Sequence, residues 1–105
     1  MKTFAIFATT FCIAALPAAA LAGCGTYQSS PSTQPADVKF VNESGGKVNV
    51  LWFKFQGGTR KYRALAPSQS YVQATFRNHV WGFTDAKGKC LGTYVVKGSG
   101  TKGIK

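Results

Sequence analysis

The sequence predicts a small all-β domain, a sandwich or barrel of short strands, and three observations lead there. Aromatic and β-branched residues concentrate between residues 37 and 97, and apolar positions in that stretch alternate with a period of two. Turn-forming residues interrupt the apolar runs at intervals of about 8–12 residues, the spacing of short antiparallel strands. No run of about ten residues carries the three-to-four spacing of an amphipathic helix.

The strands follow in order. "VKFVN" sets Val38 and Phe40 against Lys39 and Val41, and "KVNVLWFKF" sets Val48, Val50 and Trp52 against Asn49, Leu51 and Phe53, before Phe55. Alternation of this kind sends the two sets to opposite faces. "TRKYRAL" reads as a basic strand, and "SYVQATF", "HVWGF" and "LGTYVV" are further short candidates. Between them "ESGG", "QGGT", "APSQ" and "DAKGK" supply Gly, Pro, Asp or Ser where the chain must turn.

The two ends have other characters. Lys2, an uncharged apolar stretch and small residues before Cys24 form a secretory leader over residues 1–23. "LAGC", Leu21 to Cys24, resembles a bacterial lipobox, in which the cysteine thiol takes a diacylglyceryl group and becomes the N-terminus. Cleavage after Ala22 is the alternative, since "ALA" is also a small-x-small site. Cys24 then survives as a thiol able to pair with Cys90, whereas lipidation leaves Cys90 alone; a disulfide framework is expected on neither route. Residues 24–36, rich in Ser, Thr, Gln and Pro, are expected to be a disordered tether, and residues 98–105 a flexible basic tail. Localisation follows: export across the inner membrane and lipid attachment in the envelope, at the outer membrane facing the periplasm.

Composition excludes most chemistry. The mature chain holds one histidine, His79, two cysteines and three acids, Asp37, Glu43 and Asp85. These cannot supply four zinc ligands at a recognised spacing, no serine sits in a nucleophile elbow, and a Cys90–His79 dyad has no third group beside it. No phosphate-binding glycine loop is present. The protein is therefore expected to be no enzyme, with no catalytic residue, metal or cofactor. Lys2 leaves with the leader, so twelve basic residues face three acids. That excess attracts polyanions. Near a membrane the nearest anions are phospholipid and lipopolysaccharide headgroups, worth about 1 kcal/mol per close Lys or Arg. Aromatics interleaved with cations also suit single-stranded nucleic acid, but export argues against it as the native ligand.

Five phrases occur in order between Val38 and Ala86: "FVNES", "WFKF", "YRALAP", "FRNHVWGF" and the Asp-Ala pair. Together they resemble the von Hippel–Lindau β-domain family. The resemblance implies a small antiparallel β-sandwich of about seven strands that binds an extended peptide and takes a 4-hydroxyproline into a pocket. His79 would bond the prolyl hydroxyl, and Thr75, where the family has serine, would offer a second partner. Trp52 and Trp81 would wall the pyrrolidine ring, and the Tyr62 phenol would bond the peptide backbone. Phe76 stands where the family has tyrosine and Ala74 where it has histidine, changes that fall on the flanking-peptide contacts. No segment resembles the family's helical second domain, so elongin and cullin are not expected partners.

Those residue types suit the ligand. Hydroxyproline is a flat apolar ring with one polar point, which calls for aromatic walls and one or two convergent hydrogen-bonding groups. Two readings stand side by side. One is an envelope-anchored peptide-binding module; the other is a structural lipoprotein whose basic surface meets anionic envelope polymers.

Overall fold

The computed structural model describes residues 23–105; the expected leader lies, apart from Gly23, outside the described residues. Seven strands run in order: β1 (Pro35–Asn42), β2 (Val48–Phe53), β3 (Thr59–Leu65), β4 (Ser70–Phe76), β5 (Val80–Thr84), β6 (Cys90–Val95) and β7 (Gly100–Ile104). They form a three-stranded sheet, β4-β1-β7, and a four-stranded sheet, β3-β2-β5-β6. All pairs are antiparallel except β1 with β7.

The alternation read from the sequence places the core. Ala36, Val38 and Phe40 of β1 face Val48 and Val50 of β2, Leu65 of β3, and Trp81 and Phe83 of β5. The Phe40 ring lies 5.6 Å from Trp81 and 5.2 Å from Phe83, centroid to centroid. Each such side chain contributes about 1.5–3 kcal/mol by leaving water. Asn42, fully buried at the end of β1, donates through Nδ2 to the carbonyls of Gly46, Leu65 and Ala66. Its Oδ1 accepts from the Ser44 amide and hydroxyl. One side chain thus joins the β1–β2 turn to the end of β3.

Three expectations about the ends are corrected. Residues 98–105 are not a flexible tail: β7 pairs with the free side of β1, Ile104 is only 2% exposed, and the Glu43 amide donates to its carbonyl. One buried apolar residue and a ladder of backbone bonds suffice for an edge strand, so a polar composition concealed it. Residues 24–36 are not a disordered tether either. From Gly23 to Gln34 the chain forms a strap over the outer face of the four-stranded sheet. Tyr27 packs edge-on to Phe53 at 5.6 Å, and the buried Ser29 hydroxyl accepts from the Val80 amide at 2.8 Å. The Ser30 amide donates to the Asn78 carbonyl.

The third correction concerns the disulfide, expected on neither route: Cys24 is bonded to Cys90 with 4.9 Å between Cα atoms. This is the pairing available after ordinary cleavage, the alternative to lipidation at Cys24. Gly82 makes room for it: a Cβ there would come within 2.9 Å of the Phe53 ring and 3.4 Å of the Cys24 Cβ. Because the strap covers one face of β5 and the core the other, all five of its residues are buried.

Candidate functional site

On one side of the sandwich the two sheets end in consecutive strands, β3 and β4, each lacking a neighbour on its outer side among the described residues. Between them opens a cleft of about 270 Å³. Trp52, Tyr62, Thr75, His79 and Trp81, the five pocket residues expected from the sequence, all line it. They are joined by Phe55, Ala74 and Phe76.

Local structure explains each placement. Trp52 and Trp81 are register partners on β2 and β5 and point inward with the core residues. Tyr62 sits at a bulge, since Val50 and Leu51 of β2 face Arg63 and Lys61 and leave Tyr62 as the extra residue. A bulge re-aims a side chain. Here the phenol ring comes 5.0 Å from Trp81 and 6.3 Å from Trp52. Phe55 lies in the β2–β3 turn, where Gly57 and Gly58 take φ of +98° and +80°, a region glycine enters without strain. That turn brings the Phe55 ring to 5.1 Å from Trp52 and 5.3 Å from His79.

His79 immediately precedes β5. Asn78 adopts φ +69°, which asparagine tolerates better than most residues, and the turn brings the imidazole back over the cleft. The His79 amide donates to the Phe76 carbonyl and its carbonyl accepts from the Val96 amide. His79 is 8% exposed, and its imidazole lies among Trp52, Phe55 and Phe76, with centroids 5.3–5.6 Å away. Burial among these rings pushes its pKa below the ordinary 6.5, so the ring is neutral at pH 7.

Thr75 is buried, and its Oγ1 accepts a hydrogen bond from Trp81 Nε1 at 3.1 Å. Its own proton therefore remains available to donate. Trp52 Nε1 is a buried donor with no partner among the described residues. The cleft thus holds aromatic walls, one neutral imidazole able to accept, one hydroxyl able to donate and one unsatisfied indole N–H. Among the described residues no three His, Cys, Asp or Glu side chains gather to hold a metal.

Two contributors were not singled out from the sequence. Phe55 stood in view only as the last apolar residue of its strand, with nothing to show that a glycine turn folds it over the imidazole. Ser29, which holds the Val80 amide next to His79, carried no signal in a segment that reads as linker.

The VHL beta domain family model matches residues 27–93, from within the strap to the middle of β6. This match covers more than half of the chain and all five expected pocket residues. Its β-domain is a peptide-recognition domain rather than an enzyme. With the seven-stranded two-sheet architecture beside it, the match shows that the chain belongs to the VHL β-domain family.

Proposed function

We propose that this protein is an exported, non-enzymatic binding module that takes an extended peptide and seats a 4-hydroxyproline ring in the cleft between β3 and β4. The observation that supports this reading is the pairing of neutral His79 with Thr75 inside an aromatic enclosure. A prolyl hydroxyl has one proton to give and lone pairs to receive. It would donate to the free imidazole nitrogen and accept the Thr75 proton, whose oxygen is already engaged by Trp81. Trp52, Trp81 and Tyr62 would enclose the ring. The Tyr62 phenol, on a residue 41% exposed at the rim, would reach the peptide backbone. Proline without the hydroxyl leaves both groups unpaired, at about 1–3 kcal/mol each.

Export belongs to the same reading. The leader directs the chain across the inner membrane, and a disulfide at Cys24 fits an oxidising envelope compartment. Lipidation at Cys24 is the alternative means of retention in the envelope, since one sulfur can carry either the lipid or the disulfide.

The experiment is a titration of the mature protein with matched peptides carrying proline or 4-hydroxyproline, following the indole signals of Trp52 and Trp81 and the ring of His79. Hydroxyl-dependent shifts at all three are expected, with affinities about 10- to 100-fold apart. A folded protein whose signals ignore both peptides would remove the proposal.

A further inference from the structure

The open edge beside the cleft carries a charge pattern that the cleft itself does not explain. Thr59 to Arg63 of β3 are all exposed, and three of these five residues, Arg60, Lys61 and Arg63, are cations. The Arg60 guanidinium lies 5.1 Å from the centre of the Tyr62 ring, and that of Arg63 lies 4.3 Å from the centre of the Tyr71 ring on β4. Register fixes where they stand. Arg60 is opposite Trp52 and Arg63 opposite Val50, on either side of the bulged Tyr62 that lines the cleft. Those partners are two positions apart on β2, so the guanidinium-bearing positions are about 7 Å apart along the strand.

Among the described residues no carboxylate pairs with them. Glu43 is engaged with Lys105 at 3.8 Å. The Asp85 carboxylate accepts from the amides of Lys87 and Lys89 in the β5–β6 turn. Asp37 occupies an exposed position of β1, whose alternate residues fill the core. The sequence has no other acid, so no carboxylate outside the described residues could pair with these cations. Charged edges do keep strands from pairing with other molecules, and Lys61 serves that purpose by itself. Two arginines stacked on tyrosine faces are more ordered than that purpose requires, because stacking fixes the guanidinium plane while leaving its N–H groups outward.

We infer that the partner is an acidic peptide, with a carboxylate within two residues of the seated ring on each side, one meeting Arg60 and the other Arg63. The inference rests on the peptide reading above and adds the class of sequence recognised. An extended chain rises about 3.3 Å per residue, so side chains two positions from the ring lie on the ring's own side of the strand, about 7 Å away. That distance is within reach of a guanidinium on either flank.

Three hydroxyproline peptides with one core separate the possibilities: flanked by glutamates, by glutamines and by lysines. Each is titrated at low and high salt into the full mature protein and its Arg60→Gln/Arg63→Gln variant. The glutamate peptide is expected to bind about tenfold more tightly than the glutamine peptide at low salt, and the lysine peptide more weakly than both. High salt and the double variant should each erase the glutamate advantage while leaving the glutamine peptide's affinity in place. Equal affinities for the glutamate and glutamine peptides, with hydroxyproline still preferred over proline, would overturn the acidic clamp and leave the cleft reading standing. Binding of none of the three would overturn both. Polyphosphate competing as well as the glutamate peptide, regardless of His79→Ala, would overturn the clamp in favour of a general polyanion surface.

Discussion

The outer face of the four-stranded sheet, which carries Phe53, and the slot between β3 and β4, walled by aromatic rings, differ in that the chain closes one and leaves the other open. Over the first, the strap from Gly23 to Gln34 lays Tyr27 against Phe53, bonds Ser29 to the Val80 amide and fixes its start to Cys90. The strap's groups there find partners in the sheet beneath. Over the second, His79 keeps a free acceptor nitrogen, Trp52 keeps an unsatisfied N–H, and Arg60 and Arg63 meet no carboxylate. In a domain this small the difference separates covering from function. A surface whose polar groups are spent internally stabilises the fold, and one whose polar groups are left over is shaped for something else.

The largest expected effect lies on the closed side. The disulfide joins residues 66 apart in sequence, and a cross-link over a loop of that length contributes about 4 kcal/mol in the chain-entropy account. Cys24→Ser with Cys90→Ser, or a reductant added to the natural protein, should lower unfolding free energy in denaturant by about 2–4 kcal/mol. Protein isolated from the envelope without reductant should show no titratable thiol. A free Cys90 together with a lipid thioether on Cys24 would instead mean that the strap is not anchored in the cell.

Thr75→Val tests the open side and should be smaller. The substitution keeps the volume but leaves Trp81 Nε1 a buried donor without an acceptor, at about 1–3 kcal/mol of stability. It also removes the proton proposed for the ligand hydroxyl, so preference for hydroxyproline over proline should fall about tenfold while proline-peptide affinity holds. Thr75→Ser should restore both. Lost stability with undiminished hydroxyl preference would assign Thr75 to the core alone.

The two sides were also unequally legible in the sequence. The cleft could be read because its members sit on strands whose alternation fixes which way they point: Trp52 with Val48 and Val50, Trp81 with Phe83. The ordered phrases from "FVNES" to "FRNHVWGF" supplied the rest. The first of these turns out to be structural, since Asn42 and Ser44 tie the β1–β2 turn to the end of β3. The strap and β7 could not be read in this way. They hold by backbone bonds, one serine hydroxyl, one tyrosine ring, one disulfide and one isoleucine, which together produce no periodic apolar pattern. Composition distinguishes a chain that cannot form a core from one that can, but not a linker from a strap laid over a core already formed.

The smallest effect, and the one that reads the cleft most directly, is its response to pH. Burial lowers the His79 pKa below the 6.5 of a free imidazole, so between these two values the unfolded chain binds a proton that the folded chain does not. The contribution of neutral His79 is thus fully present above about pH 6.5 and is lost as pH falls through the folded value. Asp85 also has a lowered pKa, held down by the Lys89 and Lys87 amides, but its contribution is lost only as pH falls through the carboxylate range. Protonation of His79 also turns the free nitrogen from acceptor to donor, so the ligand hydroxyl loses a partner at the same pH. Stability and hydroxyproline preference should therefore decline together on acidification, the preference by about 1 kcal/mol, and His79→Gln should flatten both changes over that interval. Two-dimensional spectra of the imidazole, recorded beside denaturant melts at each pH, locate the folded pKa independently. A ring that titrates at or above 6.5 would place His79 in water at the rim, and the cleft would then lack the buried acceptor that distinguishes it from the strap-covered face.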